Sequence, residues 1–176
     1  MRIDHIGDLT CSIARAIGSV GDPWTLIMIR ELFLGSRRFE QFEAQLRASP
    51  ALISARLKEL ESDGVIVRNA YQTNPPRYEY RLTEKGLDLW PLFVALKHWG
   101  EKWGGLDQPV AHIRHKSCGH VTALKLVCEC CGEPLDARSV SLEQGPEMLE
   151  ERAGFASARR EREAAKVQLR RRSARS

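Results

Sequence analysis

Four of the five cysteines of this chain lie within the stretch HIRHKSCGHVTALKLVCECCGE, residues 112–133. Thiolate and imidazole are the donors of tetrahedral structural zinc sites. One small figure occurs twice in the stretch: a donor, two spacers, a cysteine and a glycine. His115 and Cys118 form the first pair, Cys128 and Cys131 the second, with nine residues between the pairs. Two such turns facing each other across a short hairpin place one nitrogen and three sulfurs around a Zn2+ ion. Gly119 and Gly132 supply the positive φ such turns need, and HVTALKLV, residues 120–127, is expected to form strands. His112 and His120 compete with His115 for the fourth position. Only His115 reproduces the spacing of the second pair, and Cys130 is left over. A saturated four-ligand site is closed to substrate, so the expected role is structural. A module of about 30 residues cannot bury enough surface to fold unaided, and a metal can make up the deficit; a metal-free remnant or a redox-labile cluster is the alternative reading.

Other chemistry is absent from the sequence. No Gly-x-Ser-x-Gly elbow, phosphate-binding Gly-rich loop or His-Glu-x-x-His helix occurs, so no catalytic residue is expected. The first residues never build a secretory apolar run, and no later run reaches membrane-spanning length. A cytoplasmic protein with no membrane partner is therefore expected, with its thiols reduced and available to metals. The 176 residues carry a formal net charge of +4, which favours anionic partners.

The elements that position these groups divide the chain into residues 1–104, residues 105–145 with the zinc-ribbon-like module, and an Arg/Glu-rich tail, 146–176, read as a solvent-exposed helix or a disordered segment. The first part reads as four helices, a hairpin and a fifth helix: mainly α with a small β wing, an α+β fold. Thr10 is expected to cap a first helix burying Ile13, Ile17 and Val20. Asp22 with Pro23 opens the apolar second helix, which ends at Gly35. A short third helix presents Phe39, Phe42 and Leu46 on one face. Ser49 with Pro50 opens a fourth, with Leu52, Ile53, Leu57 and Leu60 inward. VIVRNAY and RYEYRL read as strands around the tip QTNPP, and Thr83 caps the last helix, within which Pro91 should kink or break the start. The stripe Leu89, Phe93, Leu96 and Trp99 on that helix is expected to pair two subunits.

Short helix, tight turn, second helix and hairpin is the order of a winged helix-turn-helix. A recognition helix entering a major groove about 12 Å wide needs small, polar or basic side chains on its exposed face. Ser49, Ala51, Ser54 and Lys58 meet that need, with Arg56 nearer the buried edge, where it either braces the helix or reaches a phosphate. Arg68, Thr73, Asn74 and Arg77 on the wing, and Arg37 and Arg38 before the third helix, are candidate phosphate partners. A solvated charged face is the alternative reading of such residues.

CSIARAIGSVGDPWTLIMIRELFLGSRRFEQFEAQL, SPALISARLKELESDGVIVRNAY, PPRYEYRLTEKG and LWPLFVALKHWGEKW together resemble the HxlR-type family of bacterial transcriptional regulators, over residues 11–103. The resemblance implies a homodimer that binds double-stranded DNA at a partly palindromic operator, under a redox or small-molecule effector. It leaves the cysteine module outside. Cys11, at the expected start of the first helix and one turn from Arg15, sits where the helix dipole favours thiolate. In the family a cysteine in this region often senses oxidants or electrophiles; packing as a small hydrophobe is the alternative. A second reading of the whole chain is a zinc-ribbon RNA-binding or polymerase-associated factor.

Overall fold

The computed structural model describes residues 6–105 and 107–173. After a single 3-10 turn, Ile6–Asp8, come helices α1 (Ser12–Val20), α2 (Pro23–Leu34), α3 (Phe39–Gln45) and α4 (Pro50–Ser62). Strands β1 (Ile66–Thr73) and β2 (Pro76–Leu82) follow, then α5 (Glu84–Leu87) and α6 (Trp90–Trp103). Beyond them lie β3 (Ile113–Arg114), β4 (Val121–Thr122) and α7 (Pro146–Ser173). The chain forms two compact units, Ser19–Asp136 and Met1–Gly18 with Ala137–Ser176.

In the larger unit the helix caps are local and strong. Asp22 Oδ1 accepts the Trp24 and Thr25 N–H groups at 3.0 and 3.1 Å, and Pro23 fills the first position of α2. Ser49 Oγ accepts the Leu52 N–H at 3.3 Å at the start of α4. Gln41 Oε1 accepts the Arg37 and Arg38 N–H groups at 2.7 and 2.9 Å, which fixes the entry to α3. Around α2 the core gathers Met28, Ile29 and Leu32 with Phe42, Ile53, Leu57, Leu60, Val65 and Ile66, all at most 2% exposed. Leu52 is half-buried, so the inner face of α4 is centred on Ile53, Leu57 and Leu60.

The hairpin is antiparallel, from Ile66 opposite Leu82 to Thr73 opposite Pro76, with a register shift between Ala70 and Gln72. Both strands therefore run nearer the tip than the apolar pattern marks. The main chain of Arg37 and Arg38 adds to the outer edge of β2: the Tyr80 N–H donates to Arg37 O at 2.7 Å, and Arg38 bridges Glu79.

Three expectations need correction. The first helix opens at Ser12, and Cys11, whose carbonyl accepts the Arg15 N–H at 3.0 Å, stands where Thr10 was expected. Of its apolar residues, Ala14 and Val20 are buried, while Ile13 and Ile17 stay 65% and 42% exposed. The last helix of the domain is two helices. Thr83 caps only α5, through the Gly86 N–H at 3.2 Å, and Pro91 lies in the first turn of α6, where its missing N–H is not needed, so the break near the start falls where Pro91 marks it.

In the smaller unit α7 is polar on all sides, and Arg159 pairs with Glu163 one turn on, at 3.0 Å. The Thr10 N–H donates to Glu151 Oε1 at 2.9 Å.

Phe42→Ala should lower stability by about 3–5 kcal/mol, because the void lies among fully buried side chains. Ser54→Ala, on the exposed face of α4, should stay within about 0.5 kcal/mol. Urea unfolding followed by circular dichroism compares them.

Candidate nucleic-acid interface

With Ile53, Leu57 and Leu60 inward, the helical period turns Ala51, Ser54, Ala55 and Lys58 to solvent, and all four are exposed. Ser49 is exposed at the same end. The N-terminal half of α4 is thus a surface of small and polar groups followed by one cation, which a major groove can admit without steric conflict.

The arginines flanking this surface fall into two sets. Arg37 is half-buried, and its Nη1 donates to the Leu32 and Ser36 carbonyls at 2.5 and 2.8 Å, binding the C-terminal end of α2. Arg56 pairs with Asp22 Oδ2 at 3.2 Å and with Glu59. Asp22 therefore caps α2 through one oxygen and holds α4 through the other. Arg38 pairs with Glu79 at 3.0 Å and lies 4.4 Å from the centroid of the Tyr71 ring, at the irregularity in β1. Hydrogen bonds from Arg38 and then Arg81 hold the Glu79 carboxyl below its usual range. Arg68 lies 4.5 Å from the Tyr78 ring centroid and 3.4 Å from Glu61.

Lys58, Arg77 and Arg47 form the second set: each is exposed, and none makes an ion pair or side-chain hydrogen bond among the described residues. Arg47 escaped the sequence reading. It lies in the turn between α3 and α4, two residues before the Ser49 cap, and a cation next to the N-terminus of a groove-facing helix was the available signal. Thr73 and Asn74 are exposed at the wing tip, where Asn74 O accepts Gln72 Nε2 at 3.1 Å.

The description of the HxlR-like helix-turn-helix family matches residues 19–108. The chain belongs to this family. An uncharacterized HTH-type transcriptional regulator of Mycobacterium tuberculosis, Rv3095, is 40% identical over 136 residues, which is 77% of this chain and 86% of that protein. YdeP of Bacillus subtilis, also an uncharacterized HTH-type regulator, is 36% identical over 53% of this chain and 73% of its own. Among solved structures, PA1607, a proposed transcription factor, superposes with a TM-score of 0.69 at 30% identity, over 77% of this chain and 96% of that one. The redox regulator HypR in its reduced form reaches 0.51 at 30% identity, over 54% of this chain and 95% of its own.

This HxlR-type protein is a DNA-binding transcriptional regulator, not an enzyme. The comparisons set it apart from the RNA-binding or polymerase-associated factor of the second reading. Among the described residues no helix is long and apolar enough to cross a membrane.

Outside this surface, α6 carries a second feature of the regulator. Leu89 and Phe93 pack against the core and Val94 is buried, whereas Leu92, Leu96, Trp99 and Trp103 form an exposed stripe at helical spacing. A groove of about 990 Å³ lies between α2 and α6, lined by Ile27, Phe33, Trp90 and Phe93 and bordered by residues 110–114.

Arg77→Ala should reduce the slope of log K against log salt by about one per subunit, because one phosphate contact and its released counterion are lost. Arg37→Ala should leave that slope unchanged and lower stability instead. Titrations of a labelled duplex at several salt concentrations separate the two effects.

Proposed function

We propose that the regulator acts as a symmetric dimer whose two α4 helices read half-sites of a partly palindromic operator. The observation that carries this reading is the outer face of α4: small and polar residues at the groove-facing positions, flanked by the three unpaired cations Arg47, Lys58 and Arg77. Ser49, Ala51, Ser54 and Lys58 meet base edges or the adjacent backbone. Arg77, Thr73 and Asn74 contact phosphate from the wing, and Arg47 does so from the turn. Arg37, Arg38, Arg56 and Arg68, engaged within the protein, position these elements.

The dimer reading rests on apolar surface. Leu92, Leu96, Trp99 and Trp103 on α6, and separately Ile13 and Ile17 on α1, are exposed in single file along their helices. Such stripes are normally covered by a partner, and a second copy is the partner that symmetry supplies. Two α4 helices related in this way would address one face of the duplex about 34 Å apart.

An electrophile-responsive switch at Cys11 belongs to the same reading. Cys11 is half-buried at the start of α1 and forms no disulfide, and the likeness to HypR, a redox regulator, favours a thiol-based signal. A quinone would react by forming one bond from the Cys11 sulfur to a ring carbon, with the thiol proton passing to the quinone oxygen. The effect on α1 would reach the DNA through the dimer.

Sedimentation at micromolar concentration should give a dimer, and Trp99→Asp with Leu96→Asp should shift it to monomer; a monomeric parent would remove the paired half-sites. Footprinting on the DNA flanking its own gene should protect two segments one helical turn apart.

Benzoquinone should weaken operator binding by the parent and spare Cys11→Ser, with the modified peptide identified by mass spectrometry. Parallel loss in both proteins, or loss in neither, would show that Cys11 is not the switch.

A further inference from the structure

Residues 107–145 contain no buried side chain, and only Ile113 and Cys128 among them are half-buried. This segment nevertheless forms two ordered hairpins. In the first, β3 and β4 pair Ile113 with Thr122 and Arg114 with Val121. In the second, Val127 bridges Pro134, and the Leu135 N–H donates to Leu126 O at 2.9 Å. The strands expected of residues 120–127 are thus divided between two hairpins, with only Val121–Thr122 in a regular strand.

The tips of the two hairpins are built alike. In the first, the His115 N–H donates to His120 O at 3.0 Å and the Gly119 N–H to His115 O at 2.8 Å. In the second, the Cys128 N–H donates to Glu133 O at 2.8 Å and the Gly132 N–H to Cys128 O at 2.8 Å. The bonds span the same number of residues in each tip. Gly119 and Gly132 occupy the same place with φ of 72° and 73°, where a side chain would be strained. This correspondence equates His115 with Cys128, Cys118 with Cys131 and His120 with Glu133. His120 therefore falls opposite Glu133, outside the His/Cys-x-x-Cys pair that the two tips share, and Cys130 has a serine, Ser117, as its counterpart.

In the first tip the two donors are adjacent. His115 Nδ1 lies 3.3 Å from Cys118 Sγ. Donors at about 2.0 Å (nitrogen) and 2.3 Å (sulfur) from a tetrahedral zinc stand about 3.5 Å apart, close to that separation. In the other tip, Cys128 and Cys131 occupy the corresponding positions of a turn with the same main-chain hydrogen bonds. Among the described residues no three His, Cys, Asp or Glu side chains converge on one point, so each tip by itself is half of a site.

We propose that His115 Nδ1, Cys118, Cys128 and Cys131 bind one Zn2+ per chain, and that the ion draws the two matched tips together and closes the segment into a zinc ribbon. The three thiols lose their protons to solvent on binding, and the neutral imidazole contributes its lone pair. With four protein ligands the site admits no substrate, so its role is to hold a segment that has no core. The similarity to Rv3095 extends over 136 residues and so beyond residues 1–108 into this region.

The test uses the full chain purified under reducing conditions without chelators. Elemental analysis should give one zinc per chain. Replacement by Co2+ should give the intense visible bands of a tetrahedral ion, with thiolate charge transfer that falls by about a third for each cysteine ligand removed. Cys118→Ser, Cys128→Ser, Cys131→Ser and His115→Ala should each lower zinc affinity by about 10-fold or more. His115→Cys should restore it, and Cys130→Ser, His120→Ala and His112→Ala should retain the metal. Thermal unfolding of the winged-helix part, read by circular dichroism, verifies that each variant is folded. A zinc-free parent would overturn the proposal, as would loss of zinc from Cys130→Ser or His120→Ala with retention in Cys128→Ser or His115→Ala.

Discussion

The candidate DNA-facing surface depends on the burial of one side of α4. Ile53, Leu57 and Leu60 are at most 2% exposed, and burying each contributes about 1.5–3 kcal/mol relative to exposure. A rotation of the helix large enough to turn another face outward would return these side chains to water. The position of Ala51, Ser54, Ala55 and Lys58 is therefore a consequence of core packing. Asp22 adds a polar restraint, since one of its oxygens caps α2 and the other holds Arg56 on α4.

Charge is distributed by a comparable division of labour. The sequence is rich in arginine, yet most arginines near the groove-facing helix answer a carboxylate, a carbonyl or an aromatic ring of the same chain. Arg38 links the entry of α3 to β2 through Glu79 and lies against Tyr71, so the wing and the helix-turn-helix are held in one frame. The unpaired cations are fewer, and they stand at the turn, on α4 and at the wing. A field of this kind favours DNA generally, and in the proposed reading the shape and hydrogen-bonding groups of α4 provide selectivity.

Much of the frame was legible because its signals are local. The caps at Asp22 and Ser49, the prolines that follow them and the alternation in β2 lie within a few residues of what they determine. The break at Pro91 was legible for the same reason. Where partners are distant, the sequence was silent: nothing near Arg38 announces Glu79, so it read as a DNA contact by composition, and although helical period put Arg56 near the buried edge as a possible brace, nothing near it announces Asp22 as the partner. Ile13 and Ile17 read as core because helical spacing marks an apolar face without saying whether it meets this chain or another. In the cysteine module the donor spacing was visible, but the identical hydrogen bonding of the two tips, which separates His115 from His120, belongs to the backbone.

The central claim is that the exposed face of α4 reads base sequence. Selection of preferred duplexes from a randomised pool, performed with the parent and with Ser54→Arg, addresses it directly. The account predicts that the preferred bases change at positions within each half-site while binding to non-selected DNA is kept. An unchanged preferred sequence, with the substituted chain folded and bound, would contradict it.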